Sequence, residues 1–118
     1  MEPIPEERPL SDHELRLVRW MLEHGKPEAT DFFDQLRRAR VVSRCPCGCA
    51  SIDFSIDGCP KPEGGMHTLA DFVFGNDEYG AFVFEQNGVL SGLEVYGFGA
   101  DAPKTLPEPQ DLTPFLCD

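Results

Sequence analysis

The stretch "AFVFEQNGVLSGLEV" (residues 81–95) decides how the chain folds. Asn87-Gly88 is the strongest short hairpin signal, because a two-residue type I′ turn needs positive φ at both central positions. Apolar residues alternate on both sides of it. With Gln86 paired to Val89, Phe84 would face Ser91 and Phe82 would face Leu93. Phe82, Phe84, Val89, Leu93 and Val95 would then share a core face. Working outward, "TLADFVFG" (68–75) predicts another strand, separated from residues 81–86 by the turn "NDEYG" (76–80). "SIDFSID" (51–57) sets Ile52, Phe54 and Ile56 against Ser51, Asp53, Ser55 and Asp57, the pattern of a half-buried strand. Between these strands, "DGCPKPEGG" (57–65) is a loop.

The period upstream is helical. In "PLSDHELRLVRWMLEHGKP" (9–27), Ser11 and Glu14 form a capping box, with Leu10 and Leu15 as its staple. Leu15, Val18 and Leu22, with Met21 adjacent, make one apolar stripe. Gly25 and Pro27 end the element, so a helix is expected over 12–24. A second helix is expected within "KPEATDFFDQLRRARV" (26–41), with acids in its first turn and arginines in its last. Phe32 or Phe33, Leu36 and Ala39 would face the core. The segment "GADAPKTLPEPQDLTPFLCD" (99–118) carries four prolines and little periodicity. The expected architecture is α+β: two N-terminal helices packed on an antiparallel sheet of about four or five strands, with an extended C-terminal tail. Residues 1–118 form a single domain, with an ordered core over about 10–100 and a proline-rich tail over 101–118.

Charge narrows the classes of partner. Twenty-one carboxylates oppose ten Lys and Arg, a formal charge of −11. This disfavours nucleic acid, whose backbone requires a basic surface, and an anionic membrane. It suits solubility, or a surface that meets a basic protein. "MEPIPEERPL" lacks the apolar run of an export signal. Five cysteines, three of them within five residues, fit a reducing cytoplasm better than a secreted disulfide framework.

Those three cysteines lie in "SRCPCGCAS" (43–51). A turn at Pro46 and Gly48 would curl the thiols of Cys45, Cys47 and Cys49 toward one point, as a soft cation such as Zn²⁺ or Cu(I) requires. Cys59 could supply a fourth sulfur and His67 a nitrogen, giving a Cys₄ or Cys₃His zinc site at one end of the sheet. The single-residue spacing is tighter than in ordinary zinc knuckles. Two other readings stand beside this one. Adjacent thiols could close a strained, easily reduced disulfide, with Arg44 lowering a thiol pKa. Alternatively, the cysteines pack as small hydrophobes while Gly48 serves the turn.

The remaining chemistry is sparse. His13 and His24 belong on the helix surface. No G-x-S-x-G elbow, phosphate-cradling glycine loop or H-E-x-x-H motif occurs. Glu94 and Tyr96, with Leu90 and Phe98, fall on the face opposite Leu93 and Val95, a face expected to be covered in part, with Trp20 nearby.

"CPCGCASIDFSI" and "NGVLSGLEVYGFG", behind an N-terminal helix, resemble a small family of uncharacterised bacterial proteins. Its pattern is a Cys-Gly-Cys segment before one strand and a Gly-x-Leu-Ser-x-Leu-Glu-x-Tyr strand near the C-terminus. The matching residues are Cys47-Gly48-Cys49 and Gly88, Leu90, Ser91, Leu93, Glu94 and Tyr96. The resemblance covers about residues 10–100 and leaves Cys117 outside. It implies a compact bacterial α+β domain and brings no activity with it.

Three functions follow. The first is a small interaction module with a cysteine-lined sheet end that holds zinc. The second is an acidic inhibitor or immunity-type protein that neutralises a basic partner. The third, with no general base placed, is a thiol-dependent enzyme using Cys47 or Cys49.

Overall fold

The computed structural model describes residues 4–58 and 65–114. Among the described residues, two helices and a seven-stranded antiparallel sheet form the α+β fold, a larger sheet than the four or five strands expected. In chain order they are β1 (Ile4–Pro9), α1 (Asp12–Glu23), a 3₁₀ turn (Pro27–Phe32), α2 (Phe33–Arg37), β2 (Ala39–Arg44), β3 (Ile52–Ile56), β4 (Met66–Phe74), β5 (Tyr79–Gln86), β6 (Val89–Gly97), a second 3₁₀ turn (Pro109–Asp111) and β7 (Thr113–Pro114). The sheet order is β1-β2-β3-β6-β5-β4-β7. No described helix is long and apolar enough to cross a membrane.

Helix α1 starts where its capping box places it. Ser11 accepts the Glu14 backbone N–H at 3.1 Å, and the Glu14 carboxylate accepts the Ser11 N–H at 2.8 Å. The same carboxylate takes a bidentate pair from Arg8, both bonds 2.8 Å long, and so ties β1 to the helix. Glu14 therefore stands at the top of the buried stripe, which runs through Leu17, Val18, Met21 and Leu22. Leu15 is turned away and remains 39% exposed, against the expected stripe through Leu15. The second helix is shorter than its pattern implied. Residues 27–32 wind as a 3₁₀ turn, only 33–37 are α-helical, and Ala39 already opens a strand.

The Asn87-Gly88 turn forms as expected, with φ of 50° and 82° and Gln86 paired to Val89. The register beyond it does not hold. Glu85 pairs with Leu90 and Phe84 with Gly92, which makes Ser91 the extra residue of a β-bulge. Every later pair moves by one: Val83 faces Leu93, Ala81 faces Val95, and Phe82 faces Glu94. A one-residue slip exchanges faces, so Val83, Ala81, Leu93 and Val95 line the helix-covered core. Leu90 is also fully buried there. Phe82 and Phe84 sit on the opposite face, where Phe82 contacts both Phe84 and Tyr96 at 5.9 Å. That face is built around two glycines. The Phe84 ring lies within 2.8 Å of where a Gly92 Cβ would stand, and the Tyr96 ring covers Gly80 in the same way. Tyr96 also donates to Asp71 at 3.4 Å, and burial raises the pKa of both groups. Trp20 packs on the other side, against Phe72 at 5.1 Å and His24 at 4.2 Å.

Described residues on both sides of the expected 10–100 core also join the sheet. β1 pairs with β2, and β7 pairs with β4 through Phe72↔Pro114 and Val73↔Thr113. Between β6 and β7 the tail crosses the body as a strap. Ala50 N–H donates to the Pro103 carbonyl at 3.0 Å, His13 Nε2 donates to the Pro107 carbonyl at 2.9 Å, and Leu112 is buried in the core. The expected docking of Phe115 and Leu116 lies outside the described residues.

Two stability outcomes follow. Burial pushes the Glu14 carboxyl up, but hydrogen bonds from Arg8 and from Ser11 N–H outweigh it and hold the pKa below its ordinary value of 4.5. Its stabilisation is therefore present above the unfolded pKa and fades as pH falls through the depressed folded value. Glu14→Gln should cost about 1–3 kcal/mol in urea unfolding at neutral pH, with the gap to wild type closing in acid. Ser51→Ala should cost about 1–3 kcal/mol at all pH values, since it strips a hydroxyl that bonds both backbone groups of Val95.

Candidate metal centre

The turn that carries the cysteines joins β2 to β3. The last regular pair is Arg44↔Ile52, followed by Cys45 N–H donating to the Ser51 carbonyl at 3.3 Å. The chain then reverses in a β-turn: Gly48 N–H donates to the Cys45 carbonyl at 3.2 Å, with Pro46 at the position its fixed φ suits. Gly48 follows at φ +88°, a left-handed conformation that a side chain would strain. Cysteines at every second position of this curl point inward together.

The outcome is a three-thiol cluster. The sulfurs of Cys45, Cys47 and Cys49 all lie within 4.8 Å of one another. Cys45 and Cys47 sulfurs are 2.8 Å apart, and the Cys49 N–H points at Cys47 Sγ from 3.4 Å. All three are free thiols; Cys47 is exposed, and the other two are half-buried. The proton sharing is unequal. A hydrogen bond to Cys47 holds the proton on Cys45 and raises its pKa to about 11. Cys47 is lowered, first by the Cys45 hydrogen bond, then by Cys49 and its backbone N–H. Cys47 thus gives up its proton more readily than Cys45.

Of the other sequence candidates, His67 lies elsewhere. It is the second residue of β4 and pairs with Glu85, near the Asn87-Gly88 turn. The cysteine turn adjoins Val95, near the far end of β6, so the two stand at opposite ends of the sheet. His67 Nε2 instead lies 3.5 Å from Glu28. Cys59 and Cys117 fall outside the described residues. The histidine that shares a cavity with the cluster is His13, which lines the same groove of about 380 Å³ as Cys49, Arg44 and Lys104. No local pattern could have shown this, because the tail strap and α1 bring the groove together. Arg44, adjacent to Cys45, was legible as a nearby charge; Lys104 was not.

Comparison with known protein families, with curated proteins and with solved structures found no match for this chain.

The asymmetry of the thiols has a direct chemical readout. Limited alkylation with iodoacetamide, mapped by mass spectrometry at neutral pH, should label Cys47 before Cys45. Cys45→Ala removes the S–H donor and should slow Cys47 labelling severalfold at neutral pH. Equal rates at the two positions would refute the unequal proton sharing.

Proposed function

We propose that the protein is a small binding module that holds one soft metal ion, zinc foremost, on the thiolates of Cys45, Cys47 and Cys49. The observation that carries this reading is the convergence of three sulfurs within 4.8 Å. Soft thiolate ligands select Zn²⁺ or Cu(I) over hard cations. Three sulfurs leave one position of a tetrahedral zinc ion open to water or another donor. A zinc ion with three thiolates carries net negative charge, and the groove that Cys49 lines holds Arg8, Arg44 and Lys104 against Glu6 and Glu14.

The hairpin that presents the thiols is already closed by backbone hydrogen bonds, and Cys49 and Ala50 pack it against the hydrophobic core. The ion is therefore carried by a finished fold rather than needed to make one, unlike a zinc finger. An exposed central ligand, Cys47, also suits reversible loading.

Native mass spectrometry of the full chain, purified reduced and incubated with one equivalent of zinc, should show one zinc per chain. Cys47→Ser should lose the ion while circular dichroism and the unfolding midpoint of the apo form stay near wild type. Zinc should raise the melting temperature of wild type by mass action alone, by a few degrees. A chain that stays metal-free under these conditions would end the proposal. So would loading that survives Cys47→Ser.

A further inference from the structure

A groove of about 760 Å³ runs between α1 and α2, above the end of β1 and the start of β2. Its apolar surface comes from Leu10, Leu15, Phe33 and Leu36. Its rim carries Arg16 and Arg19 from α1 and Arg37 from α2. The charge pattern is the reverse of the chain's. Three of the ten basic residues line this groove, against one of the 21 acids, Asp34.

The rim side chains are held and exposed at once. Arg19 bonds Glu23 at 3.2 Å and lies over the Phe33 ring at 5.6 Å, and Arg37 bonds Asp34 at 3.0 Å. These are solvent-exposed pairs, worth little on their own and easily exchanged for a better carboxylate. Leu15 stands 39% exposed beside them. Leu15 lies off the buried stripe of α1, which runs through Leu17, Val18, Met21 and Leu22; its one structural partner is Leu10, which lines the same groove and with it staples the start of the helix.

We infer that this groove is a docking site for an amphipathic helix of a partner protein with acidic flanks. Two helical walls around an apolar floor take such a helix by its residues at i, i+3 or i+4, and i+7. Carboxylates on either side of its apolar stripe would meet Arg16, Arg19 and Arg37 across the rim. An alkyl or other small amphiphile fits less well, because Leu15 stands exposed at the groove, whereas small ligands are largely enclosed. The inference stands independently of the metal reading.

The test is selection of peptides of about 16 residues, roughly four helical turns, from a random phage library against the full chain. Enriched sequences should be acidic and amphipathic. Binding measured by fluorescence anisotropy should weaken about tenfold or more in Leu15→Glu and in Leu15→Ser, substitutions at a half-exposed site that the fold tolerates. It should also weaken in Arg16→Glu and with added salt, and the Arg16→Glu loss should be regained by a peptide with one Glu changed to Lys. Several outcomes overturn the inference: no enrichment, enriched peptides that are basic or lack helical apolar spacing, or binding indifferent to Leu15. Dodecanoate binding in the groove with no peptide enriched also overturns it. So does self-association in sedimentation that Leu15→Glu abolishes, since the occupant is then a second copy.

Discussion

One serine hydroxyl joins the two halves of the sheet. β1, β2 and β3 form one ribbon, and β6, β5, β4 and β7 form another; they meet only through Ile52↔Leu93 and Asp53↔Gly92. Ser51 extends this short seam. Its Oγ accepts the Val95 N–H at 2.9 Å and donates to the Val95 carbonyl at 3.2 Å, doing with a side chain what another backbone pair would do. The residue is buried, at 4% exposure, so both Val95 groups would be left unpaired without it. Next to this residue lies the turn from β2 to β3, which carries the cysteines.

The turn inherits its position from the seam and its curvature from Pro46 and Gly48. The strap holds it from the other side, through Ala50 and Pro103. A loop fixed at both ends can hold three thiols close together at a cost in local strain that the rest of the fold supports. Unequal proton sharing then makes Cys47 more acidic than Cys45. Metal binding, where thiols must give up protons, starts most readily from a thiol whose pKa its neighbours lower.

Much of the architecture was legible because it is local. The capping box at Ser11 and Glu14, the Asn87-Gly88 turn and the alternation in 52–56 all follow from neighbours in sequence. What escaped depends on distant partners. The Ser91 bulge cannot be seen in an alternating pattern, because an inserted residue there looks like one more alternation; it moved Phe82 and Phe84 off the helix-covered face. β1 and β7 are proline-bearing edge segments, stabilised by the strand each one joins rather than by propensity. Ser51 and Ser55 looked like a solvated face, yet both are buried. At the site, the three clustered cysteines were legible from spacing and turn chemistry, whereas the placement of His67 and His13 required the fold.

The central claim is that three sulfurs of one turn suffice as the protein's ligands to a soft ion. Zinc K-edge X-ray absorption on the loaded, reduced full chain counts them directly. The account predicts three sulfur neighbours at about 2.3 Å and one lighter oxygen or nitrogen donor. Four sulfurs, or a shell dominated by oxygen and nitrogen, would contradict it.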